Sequence, residues 1–321
     1  MYLRWRSETF NDNGFGAYAV AVTVRASVEL PAIQVFYRYT SAGNSKSRPT
    51  YFSKTLALRS FIDALQATNE KIQVKFLVDG DVEQDVRTLM ESVGEIVVGS
   101  WNSNRSSYLA QLQHAKATQA RLLWFAEDDY LYSRESLAAL AQAVDSHPDV
   151  DWFALSGPTP LQRLELRRAQ SAVPLPSPRK WSFGENAGHS WRRIDSTTST
   201  FGGRPRAIRR AAWLLWLCPW SGAAWDRTTC LAIQGATPYP WRYVLHDLLP
   251  PSTPSRWVAA RVLWRIVSRL AVNAAALTQR VRPPVLVAPP EPLIGHMDLP
   301  YEDRPEVWDF RAKQLLHGTS A

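Results

Sequence analysis

Three consecutive carboxylates, Glu127, Asp128 and Asp129, follow a short apolar run over residues 122–126. The length and aromatic content of that run predict a buried β-strand, and the segment that begins at Ser136 predicts a helix. The acids therefore stand at the carboxyl end of a strand, where open α/β sheets bind ligands. Adjacent carboxylates repel one another unless a cation or hydrogen-bond donors compensate, and hard divalent ions prefer oxygen ligands. The triplet thus predicts a metal site, with an acidic turn at the sheet edge as the alternative.

Alternating strand and helix patterns surround the triplet. Strands are predicted at residues 33–39, 72–78 and 95–98 before it and at 151–155 after it, separated by segments with helical spacing of apolar residues. Such alternation predicts βαβ units, and so an α/β fold with a mostly parallel central sheet flanked by helices. We assign residues 32–157 to this first half.

The second half, residues 158–321, is less regular. A proline- and arginine-rich segment up to residue 194 predicts a loop over the site, and a strand over 195–201 and a helix over 204–216 are expected to follow. The stretch 236–284 is interpreted as a helical insertion. Residues 1–31 are interpreted as an N-terminal extension outside the core fold.

Composition restricts the class of protein. The chain has 321 residues, of which 45% are hydrophobic and 21% charged, as in soluble globular proteins. A net charge of +8 favours anionic partners such as nucleotide phosphates or anionic lipid. No nucleic-acid-binding motif is recognisable, so we expect no nucleic-acid partner. Cys218 and Cys230 form neither a disulfide framework nor a metal signature, and we expect a cytoplasmic protein.

Peripheral contact with the inner face of the cell membrane is a further hypothesis. In the segment 255–279, Arg261, Arg265 and Arg269 recur every four residues on one helical face, and apolar residues occupy the other. A basic amphipathic helix can lie on an anionic membrane surface. The alternative is a helix that packs on its own domain.

Several motifs in combination resemble the glycosyltransferases of the GT-A fold, close to those of family 2. They are VFYRYT, SKTLALRSFIDAL, FLVDGD, LLWFAEDDYLY, DSTTSTFGGR and PEPLIGHMDL, which together span roughly residues 33–310. The resemblance implies a Rossmann-like fold that binds a nucleotide-diphosphate sugar in its first half and the acceptor in its second. It also implies a divalent ion, Mn²⁺ or Mg²⁺, held by the triplet in the role of a DxD motif. The acceptor would be a glycan or a lipid-linked precursor of a cell-surface polysaccharide.

The resemblance also implies roles for individual residues. The expected metal ligands are Glu127, Asp129 and His296. The expected donor-binding residues are Arg38, Lys54, Asp79, Asn104, Arg105 and Asp128, with Arg48 as a further phosphate contact. The expected acceptor-binding residues are Ser196, Thr197 and Thr198. Capping of turns and helices, or solvated surface charge, is the structural alternative at many of these positions.

The expected general base is Asp226, which opens a helix on the acceptor side, and Asp247 is the second choice. A carboxylate base on that side would deprotonate the acceptor hydroxyl, whose oxygen then attacks opposite the leaving group and inverts the anomeric centre.

Two other functions stay open at this point. A nucleotidyltransferase also uses a carboxylate-bound metal on an α/β sheet, but no glycine-rich phosphate loop with a partner lysine is present near Tyr37. A non-catalytic protein that binds nucleotides or associates with membranes would share the fold and lack turnover. Hydrolysis of the sugar donor without added acceptor would separate an active enzyme from this second alternative.

Overall fold

The fold is known from a computed structural model, which describes residues 30–41, 46–158, 175–176, 190–222, 225–246, 256–299 and 304–317. Residues 1–29, most of the loop expected over the site, and Asp247 lie outside the described residues. The strands in the described ranges are β1 (Ile33–Thr40), β2 (Ile72–Asp79), β3 (Glu95–Gly99), β4 (Leu122–Glu127), β5 (Tyr130–Tyr132), β6 (Trp152–Phe153), β7 (Arg192–Arg193), β8 (Phe201–Gly203), β9 (Leu286–Ala288) and β10 (Ile294–His296).

The helices in the same ranges are α1 (Lys54–Gln66), α2 (Gln84–Glu91), α3 (Asn104–Ala117), α4 (Ser136–Ser146), α5 (Pro205–Arg210), α6 (Ala212–Leu217), α7 (Trp225–Ile233), α8 (Trp241–His246), α9 (Arg256–Thr278) and α10 (Pro305–His317). Short 3-10 helices follow α6 at Cys218–Trp220 and α9 at Gln279–Val281. None of the helices in the described part of the chain has the length and apolar character needed to cross a bilayer.

The central sheet has eight strands in the order β3-β2-β1-β4-β8-β6-β9-β7. Strands β1 to β4 are parallel to one another, as are β6 and β9, whereas β8 runs antiparallel to both of its neighbours and β7 runs antiparallel to β9. The mostly parallel sheet flanked by helices that the sequence predicts is therefore confirmed. Strand β6 of the first half lies between β8 and β9 of the second, so both halves share one sheet.

Alternation along β1 explains the two layers of helices. Val35 and Tyr37 are buried in the cluster that contains Phe61 of α1, and the Tyr37 and Phe61 rings are 5.1 Å apart. Phe36 points to the other side, where it joins Tyr108 of α3 in a second buried cluster. Because successive side chains of a strand face opposite sides of the sheet, a strand with apolar residues on both sides requires cover on both faces.

A second, two-stranded sheet joins the segment after the acidic triplet to the end of the chain. Strands β5 and β10 are antiparallel, and His296 lies opposite Tyr130. The backbone of Gly295 lies against the ring of Trp308 in α10, since a Cβ atom at position 295 would come within 2.3 Å of that ring. Helix α10 and this strand pair thus fix the position of His296.

Two predicted elements of the second half are wrong in extent. The strand expected over residues 195–201 is confined to Phe201–Gly203. The preceding residues use side-chain hydrogen bonds instead of strand pairing, as in the bond from Thr197 Oγ1 to the carbonyl of Ser156. The helix expected over residues 204–216 is two short helices that meet at Ala211, whose ψ of 8° departs from helical geometry.

Candidate functional site

The carboxyl ends of β1, β2 and β4 lie side by side and carry the acidic triplet. In the parallel register, Arg38 is opposite Glu127 and Thr40 is opposite Asp79. The chain leaves β4 at Glu127 and enters β5 at Tyr130. The candidate site is therefore built at the edge of the sheet where parallel strands end.

Asp128 is held by the end of β1 and by the start of α1. Its Oδ2 accepts a hydrogen bond of 2.9 Å from the Thr40 backbone N–H and lies 3.1 Å from the ammonium of Lys54. Lys54 also donates to the Thr40 carbonyl, and the side chain of Ser53 caps the helix that begins at Lys54. Burial raises the pKa of Asp128, although the charge of Lys54 opposes the rise. This carboxylate thus ties α1 to the sheet.

Glu127 forms an ion pair with Arg38, which is buried. The same guanidinium donates hydrogen bonds to the Asn104 carbonyl at 2.9 Å and to the Ser107 hydroxyl at 3.0 Å. Burial raises the pKa of Glu127 to about 8, although the charge of Arg38 acts in the opposite direction. Asn104 itself is the first residue of α3, and the N-cap is Ser103. The arrangement joins the carboxyl ends of β1 and β4 to the N-terminus of α3.

Asp129 is surrounded by positive groups. Its Oδ2 lies 3.1 Å from a guanidinium nitrogen of Arg48, 3.4 Å from His296 Nε2 and 3.6 Å from Lys46 Nζ. Lys46 also lies 3.2 Å from Asp298 Oδ2. Burial alone would raise the pKa of Asp129, but the hydrogen bond and charge of His296 and the charges of Lys46 and Arg48 hold it below its usual range. Asp129 is therefore the carboxylate of the triplet that stays ionised most readily.

The imidazole of His296 is oriented by stacking. Its ring lies parallel to that of Tyr130, with centroids 4.6 Å apart and an interplanar angle of 7°. This contact follows from the register of β5 and β10, because residues directly opposite in an antiparallel pair face the same side. Nε2 consequently faces Asp129, and it lies 3.9 Å from Asp298 Oδ2.

The donor set around Asp129 suits a divalent ion in type. Carboxylate oxygens and an imidazole nitrogen are ligands that Mn²⁺ accepts, and carboxylates serve Mg²⁺. Among the described residues, no group of three or more His, Cys, Asp or Glu side chains has its atoms arranged to hold a metal ion. Lys46 and Arg48 instead lie against the carboxylate that a metal ion would share.

Asp226 lies in the first turn of α7, and its Oδ1 accepts a hydrogen bond of 2.7 Å from the Ser199 hydroxyl. Burial raises the pKa of Asp226, and the hydrogen bond from Ser199 and the charges of Arg38 and His296 oppose the rise. Asp226 is thus within electrostatic reach of both Arg38 at the Glu127 carboxylate and His296 at Asp129.

Of the other predicted site residues, some lie near the candidate site and one points away from it. Asp79 accepts a hydrogen bond of 2.8 Å from the Trp101 backbone N–H at the same edge of the sheet. The segment Ser196–Thr198 precedes β8 and approaches α7, where the Cys230 thiol donates to the Thr197 carbonyl at 3.8 Å. Arg105, in contrast, donates to the Pro219 carbonyl at 3.0 Å and stacks on the ring of Trp220, which directs it toward the second half of the chain.

Several residues of the site were not among those predicted. Lys46 reaches Asp129 from a loop, Tyr130 stacks on His296, and Ser199 binds Asp226. Tyr130 had a local signal only in its position directly after the triplet. Lys46 and Ser199 had none, since their partners are distant in sequence.

Comparisons with known proteins give a distant structural likeness only. No family model and no curated protein matches the chain. Among solved structures, the chain is similar to S. aureus TarS, residues 1–349, with 10% identity and a TM-score of 0.38 over 74% of this chain and 72% of that one. It is similar to the mannosyltransferase PcManGT from Pyrobaculum calidifontis, solved in complex with GDP-Man and Mn²⁺, with 14% identity and a TM-score of 0.40 over 79% and 76%.

A structure described as a mycobacterial protein matches with 10% identity and a TM-score of 0.37 over 76% of this chain and 75% of that one. These similarities are too distant to identify a family or an activity.

Proposed function

We propose that the chain is a glycosyltransferase of the GT-A type, which transfers a sugar from a nucleotide diphosphate to a hydroxyl acceptor. The observation that carries the proposal is that two carboxylates, both under the charges of His296 and Lys46, have different surroundings. Asp129 is surrounded by His296, Lys46 and Arg48, whereas Asp226 accepts one hydrogen bond from a hydroxyl among the described residues. The first environment suits a departing diphosphate and the second suits a general base.

The donor diphosphate would bind beside Asp129. Asp129 and His296 would hold a Mn²⁺ or Mg²⁺ ion, with Glu127 as a further ligand, and the ion would supply Lewis-acid stabilisation of the leaving diphosphate. Lys46 and Arg48 provide fixed positive charge at the same place, and Arg is suited to phosphate because its guanidinium can donate two parallel hydrogen bonds. Asp79 and the network of Arg38 and Asn104 at the neighbouring strand ends would contact the rest of the donor.

Asp226 would accept the proton of the acceptor hydroxyl. The acceptor oxygen then forms a bond to the anomeric carbon while the bond from that carbon to the phosphate oxygen breaks, and the nucleotide diphosphate departs with the electron pair. Attack from the side opposite the leaving group inverts the anomeric centre. The raised pKa of Asp226 makes it a stronger base than a solvated aspartate, and the Ser199 hydrogen bond holds the carboxylate in position.

The acceptor would enter between the segment Ser196–Thr198 and α7. We propose a glycan or lipid-linked acceptor at the cytoplasmic side of the membrane, with residues 32–157 binding the donor and residues 158–321 the acceptor. The segment 236–284, which contains α8 and α9, would be an insertion on the acceptor half. A nucleotidyltransferase is not favoured, because the end of β1 presents Arg38 and Thr40 instead of a glycine-rich phosphate loop.

Thermal unfolding with nucleotide diphosphates tests the proposal. A nucleotide at about 100 times its Kd stabilises the folded state by about 2.7 kcal/mol, because it binds the folded chain only. We expect the diphosphate of one particular nucleoside to raise the melting temperature in the presence of Mn²⁺, and to raise it much less without Mn²⁺. The matching nucleotide sugar is then incubated alone. Slow release of free sugar supports an active transferase, and binding with no release under any condition supports the non-catalytic alternative.

A further inference from the structure

Helix α9 packs on the protein through a side that carries both polar and apolar residues. Arg269 donates a hydrogen bond of 3.2 Å to the Ser221 carbonyl, and its guanidinium lies 4.8 Å from the ring of Tyr239. The buried Ser268 donates to the Trp220 carbonyl at 3.2 Å. The same side contributes Val272 to a buried cluster. The arginine stripe noted in the sequence is thus largely directed at the domain itself.

The opposite side of α9 is apolar and exposed. Leu263 is 63% exposed and Trp264 is 52% exposed, and Val267 and Leu270 continue the exposed stripe. A helix that packs on its own domain normally buries its apolar stripe and exposes its polar one. The packing of α9 thus leaves an apolar surface around Trp264 without cover from the described residues.

Tryptophan rings extend this surface onto the neighbouring α6. Trp213, which is 69% exposed, contacts Trp216 with ring centroids 5.5 Å apart. Trp216 contacts Trp220 at 6.3 Å, and Trp220 contacts Trp264 of α9 at 6.3 Å. We call the continuous exposed surface the tryptophan face, and it consists of Trp213, Trp216, Leu263, Trp264 and Val267.

The part of the chain that carries the tryptophan face is strongly basic. Between residues 201 and 290 the sequence has twelve Arg, no Lys and two Asp, so this segment has a larger positive charge than the whole chain. Arg261, one turn before Trp264 on α9, is exposed. Exposed apolar patches of this kind mark interaction sites, and Arg261 together with the net positive charge of the segment favours a negatively charged partner.

We propose that the tryptophan face docks on an anionic lipid bilayer. Trp suits the boundary between headgroups and acyl chains because its ring is apolar and its N–H can stay hydrated. Arg residues near a bilayer surface are attracted by anionic headgroups. A second copy of the chain is the main competing occupant, but it would bring two arginine-rich segments together with almost no acidic residues to pair with them.

The tryptophan face is joined to the candidate site. Arg105 stacks on Trp220 at 4.4 Å, and the adjacent Asn104 accepts a hydrogen bond from Arg38, the partner of Glu127. A docked molecule would therefore hold the site close to the membrane surface. The docking proposal stands on the exposed face and its charge, and it does not require the proposed glycosyl transfer to be correct.

Co-sedimentation with vesicles tests the proposal. The full chain should bind vesicles of equal parts phosphatidylglycerol and phosphatidylcholine and should bind pure phosphatidylcholine much less. The double variant Trp213→Ser/Trp264→Ser should lose about tenfold in partitioning, because both rings leave the bilayer boundary. Arg261→Gln should lose about fivefold, as expected for one basic residue at an anionic surface. Phe310→Ser is the matched control, since Phe310 is 63% exposed on α10 and lies outside the face.

Several outcomes would overturn the proposal. They are absence of binding by the parent chain, equal binding of the double variant, an equal loss for Phe310→Ser, or equal binding to neutral vesicles. Sedimentation velocity without lipid tests whether a second copy of the chain covers the tryptophan face. A dimer that the same substitutions dissociate would assign the face to self-association. Thermal unfolding confirms that each variant is folded. If the double variant is not folded, Trp213→Ser alone, at the most exposed ring of the tryptophan face, repeats the test. Nucleotide binding should be unchanged in every variant.

Discussion

Asp226 and Ser199 form a hydrogen-bonded pair whose separate effects can be measured. We expect Asp226→Asn to keep its affinity for the nucleotide and to lower turnover by about 10²-fold or more, which is the scale of general-base loss. Because the pKa of Asp226 is raised, activity should fall on acidification at a higher pH than for an ordinary aspartate. Ser199→Ala removes a donor that stabilises the charged carboxylate, so the acidic limb of the kcat profile should move further toward high pH.

The matched control for this pair is Thr197→Ala, which removes a hydroxyl bound to the Ser156 carbonyl and leaves Asp226 untouched. It should leave the position of the acidic limb unchanged. A normal kcat for Asp226→Asn would show that another group is the base, and an acidic limb that Ser199→Ala does not move would separate Ser199 from the proton transfer.

Asp129 is the residue on which metal dependence should rest. We expect Asp129→Asn to remove the Mn²⁺-dependent part of nucleotide binding, because the variant loses the charge that a divalent ion would share with His296. Titration calorimetry with and without Mn²⁺ measures this directly. Asp309→Asn, at an exposed ion pair with Lys313 on α10, is the control and should bind as the parent does. Identical Mn²⁺ dependence in Asp129→Asn and the parent would contradict the metal role.

The residues of the site differ in how well the sequence could predict them. The acidic triplet was predictable because a buried apolar run of five residues, LLWFA, ends directly before it. The contact between Lys46 and Asp129 was not, because it joins a loop to a strand end 83 residues further along. In the sequence, Ser199 belongs to a β-rich segment. Its hydrogen bond to Asp226 forms only because α7 packs beside that segment. Local patterns thus identify the acids, and tertiary contacts determine which role each acid can take.

At the scale of elements, the contact between β10 and α10 controls His296. An added Cβ at Gly295 would meet the buried Trp308 ring at 2.3 Å. We expect Gly295→Ala to lower the free energy of unfolding by about 1–3 kcal/mol, the usual cost of overpacking. It should also weaken Mn²⁺-dependent nucleotide binding, because the strand that carries His296 must shift.

Chemical denaturation and calorimetry on the same variant measure both effects. Gly157→Ala is the control, since a Cβ there has its nearest contact at 3.4 Å from Ile194, which is ordinary packing. Full stability in Gly295→Ala would show that α10 moves freely relative to β10. Lost stability with unchanged metal dependence would show that His296 is not a ligand.

The strands of the first half were easier to predict than the elements of the second. β1 and β4 are rich in buried β-branched and aromatic residues, and such segments indicate a strand without further context. β5 and β10 have three residues each, too few to show a period, and they form only because each provides the other's hydrogen bonds. The orientation of α9 opposed the ordinary rule for amphipathic helices, because Arg269 has a partner in the distant Ser221 carbonyl. Non-local polar contacts therefore contribute to the orientation of α9, which helical periodicity alone could not predict.

For the whole molecule, the shared sheet predicts a single cooperative unfolding transition. β6 pairs with β8 on one side and with β9 on the other, so the sheet cannot separate into the two halves without losing both pairings. Denaturation followed by far-UV circular dichroism and by tryptophan fluorescence should give coincident curves. A chain shortened to residues 30–158 should fail to fold independently, because β4 and β6 would lose β8. Two separated transitions, or a stable shortened chain, would show that the halves are autonomous.

The pairing of β4 with β8 also sets a delay during synthesis. Phe125 is opposite Phe201, so the outer edge of β4 has no neighbour until the ribosome has added those later residues. At roughly 5–20 residues per second, the delay is roughly 4–15 seconds. Over that interval the apolar strand presents unpaired backbone groups on one side, which is the condition under which strands join other chains. Ribosomes that pause while translating the segment between β4 and β8 should therefore yield the nascent chains that depend most on chaperones.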